Sequence, residues 1–248
     1  MLLLPFLLSG LLPGDPAAGV VECVRYLKPS GKALVPECEF ALRRTKSGSS
    51  IESVTSRGKT RLTVSARYDE LDRLTGADAM LVRDGEKKTV SVAVSEGKAR
   101  VKRAGQKVQE FEVPPGVIVT SAPDWTDTFL LCRRYDRKRA GKQSFPGLWI
   151  HPEQAGQRLT FAIERTGEDT VEHADKTRVL GRYVIWLRGN SSYAAWADRN
   201  GKMIKLVPLP YRENAANWLV LDGYERSTSD LVPPVPRRDH PLDRLLGK

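Results

Sequence analysis

Alternation with a period of two recurs along this chain, and each alternating run ends in a turn signal at hairpin distance. In residues 61–68, Leu62, Val64, Ala66 and Tyr68 fall on one face, and Arg61, Thr63, Ser65 and Arg67 on the other. In residues 88–95, Val90, Val92 and Val94 share a face. Successive side chains of a strand point to opposite sides, so this pattern predicts half-buried strands. Asp69–Asp72, Asp84-Gly85, Glu96-Gly97 and Ala104-Gly105 separate the runs. These are turn-forming residues, and the intervals are too short for the crossovers that parallel strands require. Residues 21–113 therefore predict an antiparallel meander.

Pro114-Pro115-Gly116 ends that pattern, and a helical period follows. Trp125, Phe129, Cys132 and Tyr135 recur at three and four, the stripe of an amphipathic helix. Asp124 suits the N-cap, Asp127 lies in the first turn, and Arg133, Arg134, Arg137 and Lys138 suit the negative C-terminal end. Gly141 is the expected stop. Strands are predicted again at 148–151, 158–165, 179–188, 193–197 and 203–207, with a last one at 217–224. Asp198-Arg199-Asn200-Gly201 reads as a hairpin turn. The expected fold is mainly β: one large curved antiparallel meander sheet, half-barrel-like, with one substantial helix packed across it.

The first residues, MLLLPFLLSGLL, are apolar and lead into Pro13-Gly14-Asp15-Pro16-Ala17-Ala18-Gly19. An apolar stretch followed by small residues is the layout of a secretory signal, and it falls short of the roughly 20 residues that cross a bilayer. Residues 1–19 are thus expected to be a signal peptide, 20–231 a single β-rich domain, and 232–248 a disordered tail rich in proline and charge. The expected location is periplasmic or secreted, with no transmembrane anchor after cleavage.

The formal net charge of +10 favours anionic partners. Export sets nucleic acid aside. Three cysteines are present. A hairpin folded about Ser30 and Gly31 would set Cys23 across from Cys38, close enough for a disulfide in an oxidising compartment. Cys132 sits in an apolar run and reads as core.

The motifs of hydrolases, zinc proteases, phosphate-binding loops and dinucleotide-binding folds are missing from the sequence, so no catalytic residue, metal site or cofactor is expected. Two sets of residues stand out for binding. One is aromatic: Trp125, Phe129, Trp149, Tyr183, Trp186, Tyr193 and Trp196. Alternation puts Trp186 and Trp196 on faces opposite to Tyr183 and Tyr193, so one set could line a cavity while the other packs the helix. The second is the basic run Arg133, Arg134, Arg137 and Lys138, which would form a larger anion site if it met the basic hairpin around Lys98–Lys107. The plainer reading of both is core and solvated surface.

The runs VPPGVIVTSAPDWTDTFLLCRRYDRKRAGKQSFPGLWIHP, LTFAIERTGEDT and YVIWLRGNSSYAAWADRNGKMIKLVPLP resemble a group of uncharacterised exported bacterial proteins. The matching hairpin is Trp196-Ala197-Asp198 with Gly201-Lys202, after the strand near Gly189, and coverage is best over residues 60–210. The resemblance implies an exported β-sheet protein, distantly like the half-barrels of periplasmic lipoprotein carriers. It implies no catalytic residues. Two functions follow as expectations. One is a non-enzymatic envelope protein holding a lipid or other amphiphile between sheet and helix. The alternative is an interaction module that binds an acidic envelope polymer or partner protein through its basic surface.

Overall fold

The structure, a computed structural model, describes residues 21–30, 33–121, 125–187, 192–210, 218–231 and 233. The signal segment, the tail beyond 233 and the expected cap Asp124 lie outside these residues. The strands are β1 (Val21–Ser30), β2 (Ala33–Thr45), β3 (Gly48–Arg57), β4 (Thr60–Asp69), β5 (Leu74–Arg83), β6 (Glu86–Ser95), β7 (Lys98–Arg103) and β8 (Gln109–Glu112). After β9 (Ile118–Thr120) comes the helix α1 (Thr126–Arg134). Then follow β10 (Lys142–His151), β11 (Gln154–His173), β12 (Lys176–Trp186), β13 (Ser192–Ala197), β14 (Met203–Leu209) and β15 (Leu219–Leu221).

All fifteen strands form one sheet, in the order β8-β7-β6-β5-β4-β3-β2-β1-β15-β14-β13-β12-β11-β10-β9. Every pairing is antiparallel except β9 with β10. The meander expected over residues 21–113 is present, as is the mainly-β curved sheet with one helix. Its two-residue turns have the left-handed backbone that matches strand twist: Asp84 and Gly85 at φ 50° and 88°, Glu96 and Gly97 at 51° and 73°.

The two halves of the sheet join between β1 and β15. The free edges, β8 and β9, do not hydrogen-bond to each other. Instead the sheet rolls past closure. Lys88 shares a face with buried Leu81, its ladder partner, and Arg103 shares one with buried Val90. On that inner face, Lys88 pairs with Glu153 at 2.8 Å, and Arg103 donates to the Gln154 carbonyl. The β10–β11 tip therefore lies inside the wall made by β5–β7. The Gln109 side chain accepts from the Gly156 amide (3.0 Å), and the ring of Phe111 leaves little room for a Cβ at Gly156. Side chains seal the overlap that a ladder would seal in a closed barrel.

The helix occupies the space the sheet encloses. Thr126 to Cys132 are all buried, so α1 is covered all round and not only along one stripe. Phe129 stacks on Phe40 of β2 (centroids 4.8 Å apart, 4° between planes). Trp125 meets Tyr193 of β13 edge-on at 5.7 Å, and Tyr135 meets Tyr183 of β12 at 5.3 Å. The expected placement across an open sheet is corrected: the sheet curls round the helix and fills its concave side with it. The polar residues of the first turn are satisfied locally. Thr126 donates to the Ser53 hydroxyl at 3.1 Å, and Asp127 accepts from Thr120 (2.9 Å) and from the Thr128 amide (2.6 Å). The helix ends at Tyr135, whose backbone is extended, well before Gly141.

The expected Cys23–Cys38 disulfide is also corrected. A bulge near Tyr26 and a turn centred later than Ser30/Gly31 pair Cys38 with Tyr26 and Cys23 with Ala41. This is an odd register shift, and an odd shift moves a side chain to the other face. Cys23 is exposed outside, Cys38 is buried inside, and all three thiols are free. Burial pushes the Cys132 thiol up to about 12.

A second, smaller core lies outside the wall. β13, β14 and β15 are buried on both faces because β11–β12 and residues 224–231 fold over them. Trp196 is fully buried there, and its Nε1 donates to Asp169 at 2.7 Å. Tyr224 stacks on His173 at 3.7 Å. Lys205, 8% exposed, donates from Nζ to the Thr228 carbonyl at 2.5 Å, beneath Trp196 and Trp218. Burial lowers the Lys205 ammonium to about 8, and Asp230 opposes the shift. Below about pH 8 the folded and unfolded chains both hold this proton; above it the folded chain sheds it first, up to the ordinary 10.5. Stability should therefore rise with pH across that window. At about 1.36 kcal/mol per pKa unit, reduced for screening, the gain is about 2 kcal/mol. Urea unfolding from pH 7.5 to 10.5 should show this rise relative to Lys205→Met; parallel pH profiles for the two proteins would refute it.

Candidate functional site

The helix does not reach the full depth of the roll. At its C-terminal end a cavity of about 640 Å³ remains open, within the range of small-ligand sites. Leu42, Ile51, Tyr68, Leu130 and Phe145 form its apolar lining. Leu42, Ile51 and Tyr68 come from the inward-facing rows of β2, β3 and β4; Leu130 comes from α1. Arg44 and Lys46 at the β2–β3 end, and Arg133 and Arg134 on the last helical turn, supply positive charge. Asp69, Glu70 and Asp72 in the β4–β5 turn supply negative charge.

The two helix arginines are held differently. Arg134 lies over the Tyr68 ring at 4.8 Å and donates to the Gly116 carbonyl at 2.7 Å. Burial raises the Tyr68 phenol; Arg134 pulls it down and Asp72 pushes it up, which places both charges beside that hydroxyl. The Arg133 side chain is 8% exposed, sits over Phe129 at 4.4 Å and donates from Nη2 to Glu22 at 2.7 Å. Its Nε is buried and has no hydrogen-bond partner among the described residues. A buried donor left unpaired is costly unless something outside the chain accepts from it.

Asp69 is committed to its own turn. It accepts from the amides of Leu71 and Arg73 and from the Arg73 guanidinium, bonds that hold its carboxyl below the usual range. Arg44, Lys46, Glu70 and Asp72 make no ion pair within 4 Å among the described residues. Charges of both signs thus surround one cavity without neutralising each other.

None of the seven aromatic candidates lines this cavity. Trp125, Phe129, Tyr183 and Tyr193 pack the helix against the wall. Trp149 stacks on His151, Trp186 lies under Lys142 at 4.1 Å, and Trp196 belongs to the outer core. The alternation read from the sequence is present, with Tyr183 and Tyr193 inside and Trp186 and Trp196 outside, but the two sets serve packing.

The basic candidates divide in the same way. Arg133 and Arg134 reach the cavity; Arg137 donates to the Asp198 carbonyl at 2.5 Å, and Lys138 is exposed. The hairpin basics do not join them, because Arg100 pairs with Glu110 and Lys98 lies opposite Glu112. Sequence reasoning passed over Tyr68, Arg44, Lys46, Glu70 and Asp72. Nothing local distinguishes a rim charge from any other charge at a hairpin end. Among the described residues no group of His, Cys, Asp or Glu could hold a metal ion.

No family model matches the chain, and no curated protein matches it. Among solved structures, a DUF1089-family protein from Pseudomonas aeruginosa is 14% identical, with a TM-score of 0.46 over 74% of this chain and 97% of that one. A β-barrel-like protein of the domain of unknown function DUF1849 from Brucella abortus is 8% identical, with a TM-score of 0.49 over 81% of this chain and 93% of that one. These neighbours are domains of unknown function, and the chain is in fold an uncharacterised β-sheet protein of the same general kind.

Proposed function

We propose that this chain is a non-enzymatic, exported protein of the cell envelope that binds an amphiphile at the open end of its rolled sheet. The observation that carries this reading is the cavity of about 640 Å³, apolar below and charged at the rim, beside the buried Arg133. Its size suits a head group with the first part of an acyl chain. The helix occupies the rest of the lumen, so a carrier that swallows whole chains is not what this geometry favours. A basic surface for acidic polymers has less support, because Arg133, Arg137 and Arg100 are already engaged within the chain.

Ser49 gives a direct test. It lines the cavity and pairs across the ladder with Arg44 and Tyr68. Ser49→Trp should fill the mouth and reduce binding of lysophosphatidylethanolamine at least tenfold, measured by native mass spectrometry on folded protein. Equal binding by both proteins would move the site elsewhere, and no binding by the wild type would remove the reading.

A further inference from the structure

Resting on the mouth as the binding site, we propose that it selects a zwitterionic head group, with a phosphate on the arginine side and a primary ammonium on the acidic turn. The argument starts from Arg133. It is the most buried charged side chain at the cavity, and Glu22 already accepts from its Nη2. Lys202 shares Glu22 at 3.5 Å. That leaves Nε as a donor in a buried setting with no acceptor from the chain. A ligand oxygen would complete it, and an anionic oxygen would do so best, since charge-assisted bonds are the stronger kind. Arg134, fixed by Tyr68 and the Gly116 carbonyl, supplies a second guanidinium on the same helical turn. Planar guanidinium forks suit phosphate oxygens.

A purely anionic ligand would leave the other half of the rim unexplained. Glu70 and Asp72 carry unpaired negative charge at the same opening, beside Asp69, whose oxygens serve its own turn. An anion seated on the arginines would be repelled by these carboxylates. A ligand that carries an ammonium a few bonds from its phosphate turns that repulsion into attraction. Tyr68 lies where the two signs converge, with Arg134 over its ring and Asp72 close enough to act on its hydroxyl. The apolar part would then rest on Leu42, Ile51, Leu130 and Phe145. Discrimination would come from both halves of the rim, because a head group lacking either charge leaves one half opposed.

The test compares dihexanoyl phosphatidylethanolamine, dihexanoyl phosphatidic acid, hexylammonium and free phosphoethanolamine, by calorimetry at low ionic strength. The expected result is that the zwitterionic lipid binds at least tenfold tighter than phosphatidic acid or hexylammonium. Glu70→Gln with Asp72→Asn should shrink its advantage over phosphatidic acid to about twofold or less. Arg134→Gln should weaken both phosphate ligands and leave hexylammonium unchanged. Free phosphoethanolamine binding as tightly as the lipid would place recognition in the head group alone and replace the lipid with a soluble ligand. Equal affinity for all four ligands, or no effect of the acidic double variant, overturns the zwitterion proposal while leaving amphiphile binding intact. If no ligand binds and Ser49→Trp changes nothing, the mouth itself is not the site. The exposed substitutions at 70 and 72 touch no core residue, so loss of fold would not account for a negative result.

Discussion

Phe129→Ala is expected to lower the unfolding free energy by about 3–5 kcal/mol, the largest effect of any single side-chain truncation in the helix. Phe129 is fully buried, stacks face to face on Phe40 and carries the Arg133 guanidinium on its other side. Removing the ring leaves a void between a helix and a hydrogen-bonded wall. Neither can collapse into it without breaking backbone bonds or moving the arginine that bonds Glu22. The cavity term therefore adds in full to the lost burial. Urea unfolding should show a lower midpoint with an unchanged slope. Val179→Ala, at a side chain 53% exposed, should move the midpoint by less than about 0.5 kcal/mol equivalent. A Phe129→Ala shift no larger than that of Val179→Ala would mean the helix is not the filling of the roll.

Gly201→Ala should cost about 3 kcal/mol and weaken binding at the mouth as well. Gly201 sits in the β13–β14 turn at φ 75°, a conformation that L side chains seldom adopt. A Cβ there would lie 2.5 Å from the Cys132 carbonyl oxygen and 2.6 Å from the Arg133 Cα. These are backbone atoms, so the last helical turn itself must shift. Strain and overpacking each contribute about 1–2 kcal/mol. The displaced turn carries Arg133 and Arg134, which links this remote hairpin to the cavity. Gly223→Ala is the control: its φ is 88°, yet a Cβ there meets nothing within 4 Å. It should show the strain cost alone and bind ligand like the wild type. If the two variants behave alike, contact with the helix is not what requires glycine at 201.

The local signals in this sequence were strong. Alternation, paired turn residues and a helical stripe are short-range properties, and they located the strands of the first half and the helix to within a residue or two. Register was harder. The β1–β2 ladder changes at a bulge near Tyr26, and the loss of one pairing step put Cys23 and Cys38 on opposite faces. The position of the helix was also out of reach. A stripe at Trp125, Phe129, Cys132 and Tyr135 states which face is most apolar, but not that Thr126, Asp127 and Thr128 find partners on Ser53 and Thr120 and can be buried too. The mouth was the least legible part. Its residues come from β2, β3, β4, α1 and β10, and only rolling of the sheet brings them together. Arg133 and Arg134 were visible as a basic pair; their different partners were not.

The order of strands has one more consequence. The ends of the described domain, β1 and β15, are neighbours in the middle of the sheet, while the sheet's own edges, β8 and β9, are neighbours along the chain. Sequence and space are thus offset by half a turn. Read from β9 through β15 to β1 and on to β8, the whole protein is one uninterrupted run of adjacent strands. A polypeptide opened at residues 113–117 and rejoined between β15 and β1 would keep every strand pairing and would exchange the single non-local one for a local one.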